Sequence, residues 1–231
     1  MVPPEAPRPA FSVIIPAHDS ADFLARCLES VAPAGGEAIV VDGGSRDATR
    51  TLACSGGARV VSSEAGRGAQ LMAGAAAARG EWLLFLHADT TLSEGWWDAA
   101  RGFMDGQAAG EPRAAYFRYA LDDDGPAARR LEALVEWRCR LLGLPYGDQG
   151  LLISREFYHA LGGYRPLPLM EDVAFIRRIG RRRLTRLDAD AVTSAARYRR
   201  EGYLRRPLRN ILCLTLYFLG LPPRILVRLY G

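Results

Sequence analysis

The sequence predicts an α/β protein: a mainly parallel sheet flanked by helices, followed by a helical C-terminal extension. Three observations predict it. Short β-branched runs alternate with helical stretches through the first two-thirds of the chain, the rhythm of right-handed crossovers in a doubly wound sheet. Polar residues gather where the apolar runs end. Beyond residue 200 the chain turns apolar and Arg-rich. With 231 residues, 49% hydrophobic and 24% charged, the chain can fill one large core and is not composed like a disordered one.

The elements follow in order. Phe11–Ile15 is a β-branched run ending at Pro16, and Ser20 can cap a helix with Phe23, Leu24, Leu28 and Val31 on one face. Glu37–Val41 is a second strand ending in Asp42-Gly43-Gly44, with Ser45 positioned to cap a helix running to about Cys54. Ala58–Ser62 is a third strand, and the Ala-rich stretch Gly68–Ala78 a third helix. Glu81–Leu86 is a fourth strand, apolar from Trp82 onward, that ends in His87-Ala88-Asp89. After residue 110 the rhythm changes. Ala114–Leu121 reads as a strand, Ala127–Leu142 as an amphipathic helix, and Leu151–Ser154 as a short strand followed by a helix capped by Ser154. Met170–Ile179 reads as a helix with Glu171 and Asp172 in its first turn; Leu184–Leu187 and Ala191–Ala195 read as edge strands. Without a repeat or low-complexity linker, the division expected is a domain over residues 1–200 and an extension over 201–231.

Charge is unevenly spread. All 30 basic residues are Arg, and residues 177–231 hold 14 of them against 3 acids. So basic a tail favours an anionic partner: phosphate, a membrane surface or nucleic acid. A nucleic-acid partner is not expected, because the tail's aromatics lie in an apolar run instead of alternating with Arg. Leu208–Leu221 as a helix would rise only about 21 Å, too short for a bilayer core of about 30 Å. It reads either as a core helix or as a membrane-surface helix within residues 205–231. Cys27, Cys54, Cys139 and Cys213 show no zinc or disulfide spacing and are expected to be reduced. The stretch from Met1 to Glu5 carries no apolar signal segment, so action in the cytoplasm, or peripherally at the inner membrane, is the expectation.

In an open parallel sheet, ligands bind beyond the carboxyl ends of the strands. The residues there are Pro16, Ala17, His18 and Asp19, then Asp42 and Gly43, then His87, Ala88 and Asp89. The glycine fingerprint of dinucleotide-binding domains is missing after the first strand, and Pro16 has no N–H to offer a phosphate. A carboxylate such as Asp42 suits a ribose hydroxyl or a base N–H. His87 and Asp89, two apart, can share one divalent cation, or Asp89 can serve as a helix cap and His87 as a packing residue. Gly66-Arg67-Gly68 opens a helix where Arg67 can pair with phosphate. Of Glu171 and Asp172, one can take a proton from an attacking hydroxyl, or both can simply favour the helix dipole. The glycine-bounded turn Gly147-Asp148-Gln149-Gly150 offers Asp148 and Gln149 to an acceptor.

Together, SVIIPAHD, IVVDGGSRDAT, EAGRGAQLMAGAAAARGEWLLFLHADT, GDQGLLISREFYHALGGY and LMEDVAFIRRI resemble the family-2 glycosyltransferases, in the family's order over about residues 11–180. HAD in place of D-x-D, and PYGDQG before the Glu-Asp pair, are closest to a small bacterial branch labelled arsenosugar-biosynthesis or radical-SAM/selenodomain-associated glycosyltransferases. The resemblance implies a GT-A fold and an inverting transfer from a nucleotide-sugar donor, with UDP expected, to a hydroxyl acceptor of unstated identity. It implies that Pro16, Ala17 and Asp19 line the nucleobase pocket and that Asp42 holds the uridine, with His18 and Gly43 counted to the same donor site. Asp89 would ligate Mn²⁺ or Mg²⁺ on the diphosphate, and Arg197 with Tyr198 would contact that diphosphate. Asp172 would be the general base, with Glu171 beside it. Three positions depart from the family: His18-Asp19 stands where Asn-Glu is commoner, His87 replaces the first Asp of D-x-D, and Met72 replaces Asn. Two other readings follow from the same residues, a polyprenyl-phosphate transferase at a membrane and a non-catalytic nucleotide-sugar binder.

Overall fold

The computed structural model describes residues 11–107 and 111–230; the N-terminal stretch read as lacking a signal segment lies outside them. The first half alternates strand and helix as expected: β1 (Phe11–Ala17), α1 (Ala21–Val31), β2 (Glu37–Asp42), α2 (Thr49–Ser55), β3 (Arg59–Ser62), α3 (Arg67–Ala77) and β4 (Trp82–Phe85). Then come β5 (Thr90–Leu92), α4 (Trp96–Asp105), β6 (Ala114–Leu121), α5 (Pro126–Leu142), β7 (Leu151–Ser154), α6 (Arg155–Ala160), α7 (Glu171–Ile179) and β8 (Leu184–Thr193). Three helices close the chain: α8 (Ala196–Glu201), α9 (Arg205–Phe218) and α10 (Pro223–Tyr230).

The eight strands form one sheet in the order β3-β2-β1-β4-β7-β6-β8-β5. β3, β2, β1 and β4 run parallel. Strand β7 reverses direction against both β4 and β6, β8 returns parallel to β6, and β5 is antiparallel to β8. The sheet is therefore mixed, and its parallel half is the half with the regular strand–helix rhythm.

Alternation along β1 divides the core. Ile14 faces Leu71 and Ala75 of α3 and Val173 and Ile176 of α7. Val13 and Ile15 face Leu24, Cys27 and Leu28 of α1, with Trp96 and Ala100 of α4 beyond. Side chains two apart on a strand share a face, so one run of β-branched residues feeds both layers. The C-terminal helices join the first layer through Cys213, Leu214 and the fully buried Leu226.

Some local expectations are corrected. The two segments read as edge strands are one strand, β8, lying inside the sheet. Asp188 and Asp190 look like breakers in sequence, yet Leu187, Ala189, Ala191 and Thr193 are buried and the acids point outward, which is plain period-two alternation. Asp190 there pairs with Arg118 of β6. Strand β5 lacks an apolar run and exists through its pairing with β8. Ser20 stands at the N-cap of α1 but makes no side-chain cap bond; its hydroxyl accepts from the His18 amide at 3.3 Å and donates to the His18 carbonyl at 3.1 Å. Nor does Ser45 cap α2, which starts only at Thr49. The Asp47 carboxylate accepts from both the Ala21 amide (3.0 Å) and the Thr49 amide (2.9 Å). Ser154 does cap α6, accepting from the Phe157 amide at 3.2 Å.

Helix α3 lies close on the sheet because Gly74 has no side chain: a Cβ there would sit 2.3 Å from Ile14 Cγ2 and 2.9 Å from Val41 Cγ2. Both neighbours are methyls on stiff β-branched side chains. Gly74→Ala is expected to destabilise the fold by up to about 2 kcal/mol in urea unfolding, since overpacking costs about 1–3 kcal/mol against the roughly 1 kcal/mol that Ala gains in a helix.

Candidate active site

The carboxyl ends of β1 and β2 are stitched together by a side chain that local pattern gave no reason to single out. Gln70 of α3 is buried, and its amide donates to the carbonyls of Ala17 (2.7 Å) and Val41 (2.8 Å). Gly43 fits beneath it, where a Cβ would approach Gln70 Nε2 to 2.9 Å. Asp42 is 1% exposed and already accepts from the amides of Gly44 (3.3 Å) and Ser45 (3.1 Å) and from Arg50 Nη1 (2.9 Å). Burial raises the Asp42 carboxyl, but the Ser45, Arg50 and Gly44 hydrogen bonds outweigh it and leave it below the usual carboxylate range. Asp42 thus lies behind the surface of the site and fixes the loop after β2. That loop in turn holds Asp19, whose amide donates to Ser45 Oγ (3.0 Å) and whose carboxylate accepts from the Arg46 amide (2.8 Å).

The centre is built around Arg67, at the start of α3. Its guanidinium pairs with Glu171 at the start of α7 and lies 3.4 Å from His87 Nε2. Glu171 is 1% exposed. Burial, with Asp172 beside it, pushes its carboxyl up in spite of Arg67. Burial also pushes His87 well down, helped by Arg67 and Arg197, so the imidazole is neutral. Gly147 packs against that ring, for a Cβ there would lie 2.6 Å from His87 Nε2. The Gly147 amide donates to Asp172 Oδ2 at 3.0 Å, and the Val173 amide to Asp172 Oδ1 at 2.7 Å. The two adjacent acids therefore differ: Glu171 is spent on Arg67, while Asp172 borders open space.

That space has two parts. A groove of about 430 Å³ runs past Pro16, His18, Asp19, Ala88 and Arg200. A smaller cavity of about 110 Å³ lies beside Asp148, Asp172, Arg206, Asn210 and Tyr230. Arg67, His87, Asp89, Ser194 and Arg197 line both. Among the described residues, the two non-glycine residues with left-handed backbone are Asp19 (φ 45°) and Met170 (φ 65°), one on the groove and one on the cavity. Such conformations cost free energy and persist where surrounding structure enforces them.

Asp148 has one carboxylate oxygen, Oδ1, fully buried without a hydrogen-bond partner, as does Asn210 through its Oδ1. Burial, with Asp172 and Asp89 opposing Arg138 and Arg67, pushes the Asp148 carboxyl up to about 6. Gln149 is corrected: it is fully buried, donates to the Phe117 carbonyl (3.2 Å) and accepts from Arg138 (3.2 Å), so it braces the turn and does not face an acceptor. Among the described residues no three His, Cys, Asp or Glu side chains come close enough to hold a metal ion by themselves. Asp89 and the neutral His87 are two donors on one wall, a set that a divalent cation fits when oxygens of a bound anion complete its shell.

A family model described as glycosyl transferase family 2 matches residues 12–137, more than half of the chain. The chain belongs to glycosyl transferase family 2. Within curated proteins, it is 36% identical over 91 residues to a glucosyl-3-phosphoglycerate synthase of Mycolicibacterium paratuberculosis, covering 34% of this chain and 28% of that one. It is 37% identical over 94 residues to a TPR repeat-containing protein of Synechococcus elongatus, covering 38% and 22%. The matches thus span about a quarter of the length of these relatives. Among solved structures, glucosyl-3-phosphoglycerate synthase of Mycobacterium tuberculosis with Mn²⁺, UDP and glucosyl-3-phosphoglycerate superposes with a TM-score of 0.54 at 23% identity, over 80% of this chain and 70% of that one. The same enzyme with Mg²⁺ and UDP gives 0.55, also at 23% identity, over 80% and 70%. At that identity the likeness shows the GT-A, Rossmann-like fold common to both.

The structure brings in residues that sequence reading missed. Gln70 sits in an Ala-rich helix, and a lone Gln there looks like a surface residue. Arg206, Asn210 and Tyr230 reach the cavity from α9 and α10, the segment read as an appendage. Met72, a departure from the family pattern, is partly exposed on α3 and lines neither space.

Asp148 gives a pH prediction. A carboxyl raised in the folded state contributes stability below its unfolded value near 4, and that contribution is lost as pH rises toward 6. Asp148→Asn should therefore be more stable than the parent at pH 7.5, by up to about 2–3 kcal/mol, and equal to it at pH 4. Urea unfolding at the two pH values checks this.

Proposed function

We propose that this family-2 protein moves a sugar from a UDP-sugar to a hydroxyl of a polar acceptor by a single inverting displacement. One observation carries the reading: the groove and the cavity share a wall of Arg67, His87, Asp89, Ser194 and Arg197. A donor lying in the groove has its diphosphate at that wall, and an acceptor in the cavity faces it from the other side. The groove is within the size range of nucleotide sites. Its base end is the Pro16–Asp19 segment, held by Asp42 through the Ser45 loop.

Asp172 is the general base in this reading. It borders the cavity, and its two backbone hydrogen bonds fix the direction of the carboxylate. Glu171 acts on the reaction only by positioning Arg67. Arg67 and Arg197 place fixed positive charge where the nucleoside diphosphate departs, and such preorganised charge is effective because it need not reorient. Asp148 and Asn210 line the cavity and offer it polar side chains for acceptor hydroxyls. Asp89 with His87 would hold Mn²⁺ or Mg²⁺, which when bound neutralises charge on the leaving diphosphate.

Structures of the mycobacterial synthase hold UDP-glucose and phosphoglyceric acid, which supports UDP-glucose as the first donor and small polyol or hydroxy-acid acceptors. HAD at residues 87–89 and the PYGDQG turn support placement in the bacterial branch named above. Residues 1–200 form the transferase domain on this reading, and residues 201–231 complete its cavity. Cytoplasmic action fits a nucleotide-sugar donor.

Calorimetric titration tests the donor site. UDP should bind more tightly with Mn²⁺ than without, and Asp89→Ala should remove at least tenfold of that gain. In transfer assays with UDP-glucose and a panel of polyol and hydroxy-acid acceptors, Asp172→Asn should lower kcat by about 10²–10⁴-fold while leaving UDP binding intact. A protein that binds no UDP under either condition overturns the reading.

A further inference from the structure

Helix α9 is apolar on two opposite faces. One carries Cys213 and Leu214 into the core and Arg206 and Asn210 to the cavity. The other carries Leu208, Ile211 and Leu212, each about half exposed or more, and Leu219 just past the helix end is 78% exposed. At 100° per residue, positions 208, 211 and 212 lie roughly opposite 206, 210, 213 and 214. On α10, Leu226 is buried while Ile225 and Leu229, one turn apart, are exposed. A soluble surface normally scatters such side chains singly; grouped on neighbouring helices, they mark an interaction surface.

The charge around this surface identifies the occupant. Residues 202–230 contain five Arg and no acid. Arg206 and Arg209 are paired with Glu201. Among the described residues, exposed Arg205, Arg224 and Arg228 have no acidic partner, and 224 and 228 stand one turn apart. Two-fold self-association would place each patch on its own copy and bring like charges together. An anionic bilayer surface complements both features at once, accepting the leucines below the headgroups and the guanidinium groups among the phosphates. No helix of the described residues is long and apolar enough to cross a membrane, so the helices would lie on it.

We infer that the exposed face of α9 and α10 is a docking surface for anionic phospholipid bilayers. The helices that dock are the ones whose inner faces supply Arg206, Asn210 and Tyr230 to the cavity. Docking would therefore leave that inner face, and the cavity it borders, turned away from the lipid. The inference does not depend on the sugar-transfer reading, because it concerns the opposite face of the helices.

The test is co-sedimentation of the full chain with vesicles. Phosphatidylglycerol-containing vesicles should retain the protein at low ionic strength, and pure phosphatidylcholine vesicles should retain at least tenfold less. Binding should fall steeply with added salt. Leu208→Ser/Leu212→Ser and Arg224→Ser/Arg228→Ser should each reduce retention by about tenfold or more, with thermal unfolding and UDP titration unchanged. Equal and negligible retention by both vesicle types overturns the inference, as does undiminished binding of the folded Leu208→Ser/Leu212→Ser variant. A concentration-dependent dimer in sedimentation velocity, abolished by that variant, would assign the surface to a second copy. Should either variant misfold, the parent chain still decides through the comparison of the two lipids and the salt series.

Discussion

The ion pair between Arg67 and Glu171 ties the start of α3 to the start of α7 across 104 residues of sequence. Glu171 is buried, and a buried carboxylate without its partner costs several kcal/mol, so the pair fixes where the two helix ends meet. From that junction the other features follow. Arg67, held in place, adds to the burial that keeps His87 neutral. Glu171, held in place, sets the first turn of α7 so that Asp172 borders the cavity and Gly147 can donate to it. A single pairing thereby contributes to the protonation state of one site residue and to the direction of another.

Topology explains why these elements meet at one end of the sheet. β1 has β2 on one side and β4 on the other, both parallel, so the loops leaving β1, β2 and β4 open on the same edge. Strand β7 runs antiparallel to β4 with Leu151 opposite Phe85. The turn that precedes β7 is therefore brought beside the loop that follows β4. Gly147 and Asp148 reach His87 for that reason, although some sixty residues separate them in sequence. A parallel β7 would have sent the same turn to the far edge.

Much of the site was legible. Apolar runs that stop at polar residues pointed to Pro16–Asp19, Asp42 and His87–Asp89, and an acidic pair at a helix start pointed to Glu171 and Asp172. Their division of labour was not. Glu171 and Asp172 are adjacent and chemically alike, but one turn of 100° sends the first under the protein and leaves the second at the cavity. Asp148 and Gln149 divide in the same way, the glutamine facing the Phe117 carbonyl and the aspartate the cavity. Gln70 and the cavity wall supplied by α9 and α10 carried no local signal, because each acquires its role from a partner distant in the chain.

What the sequence determined by itself is what short-range periodicity encodes. Alternation at two and recurrence at 3.6 residues state which side of an element is buried, and they yielded the strand–helix order, the residues at the strand ends and the apolar character of the last helices. The tertiary structure decided pairings: Arg67 with Glu171, Asp42 with its own loop, Leu184–Thr193 as one interior strand, and the C-terminal helices as part of the cavity wall. Those outcomes depend on register and on which layer an element packs against, and both are settled by burial and hydrogen bonding between segments far apart along the chain.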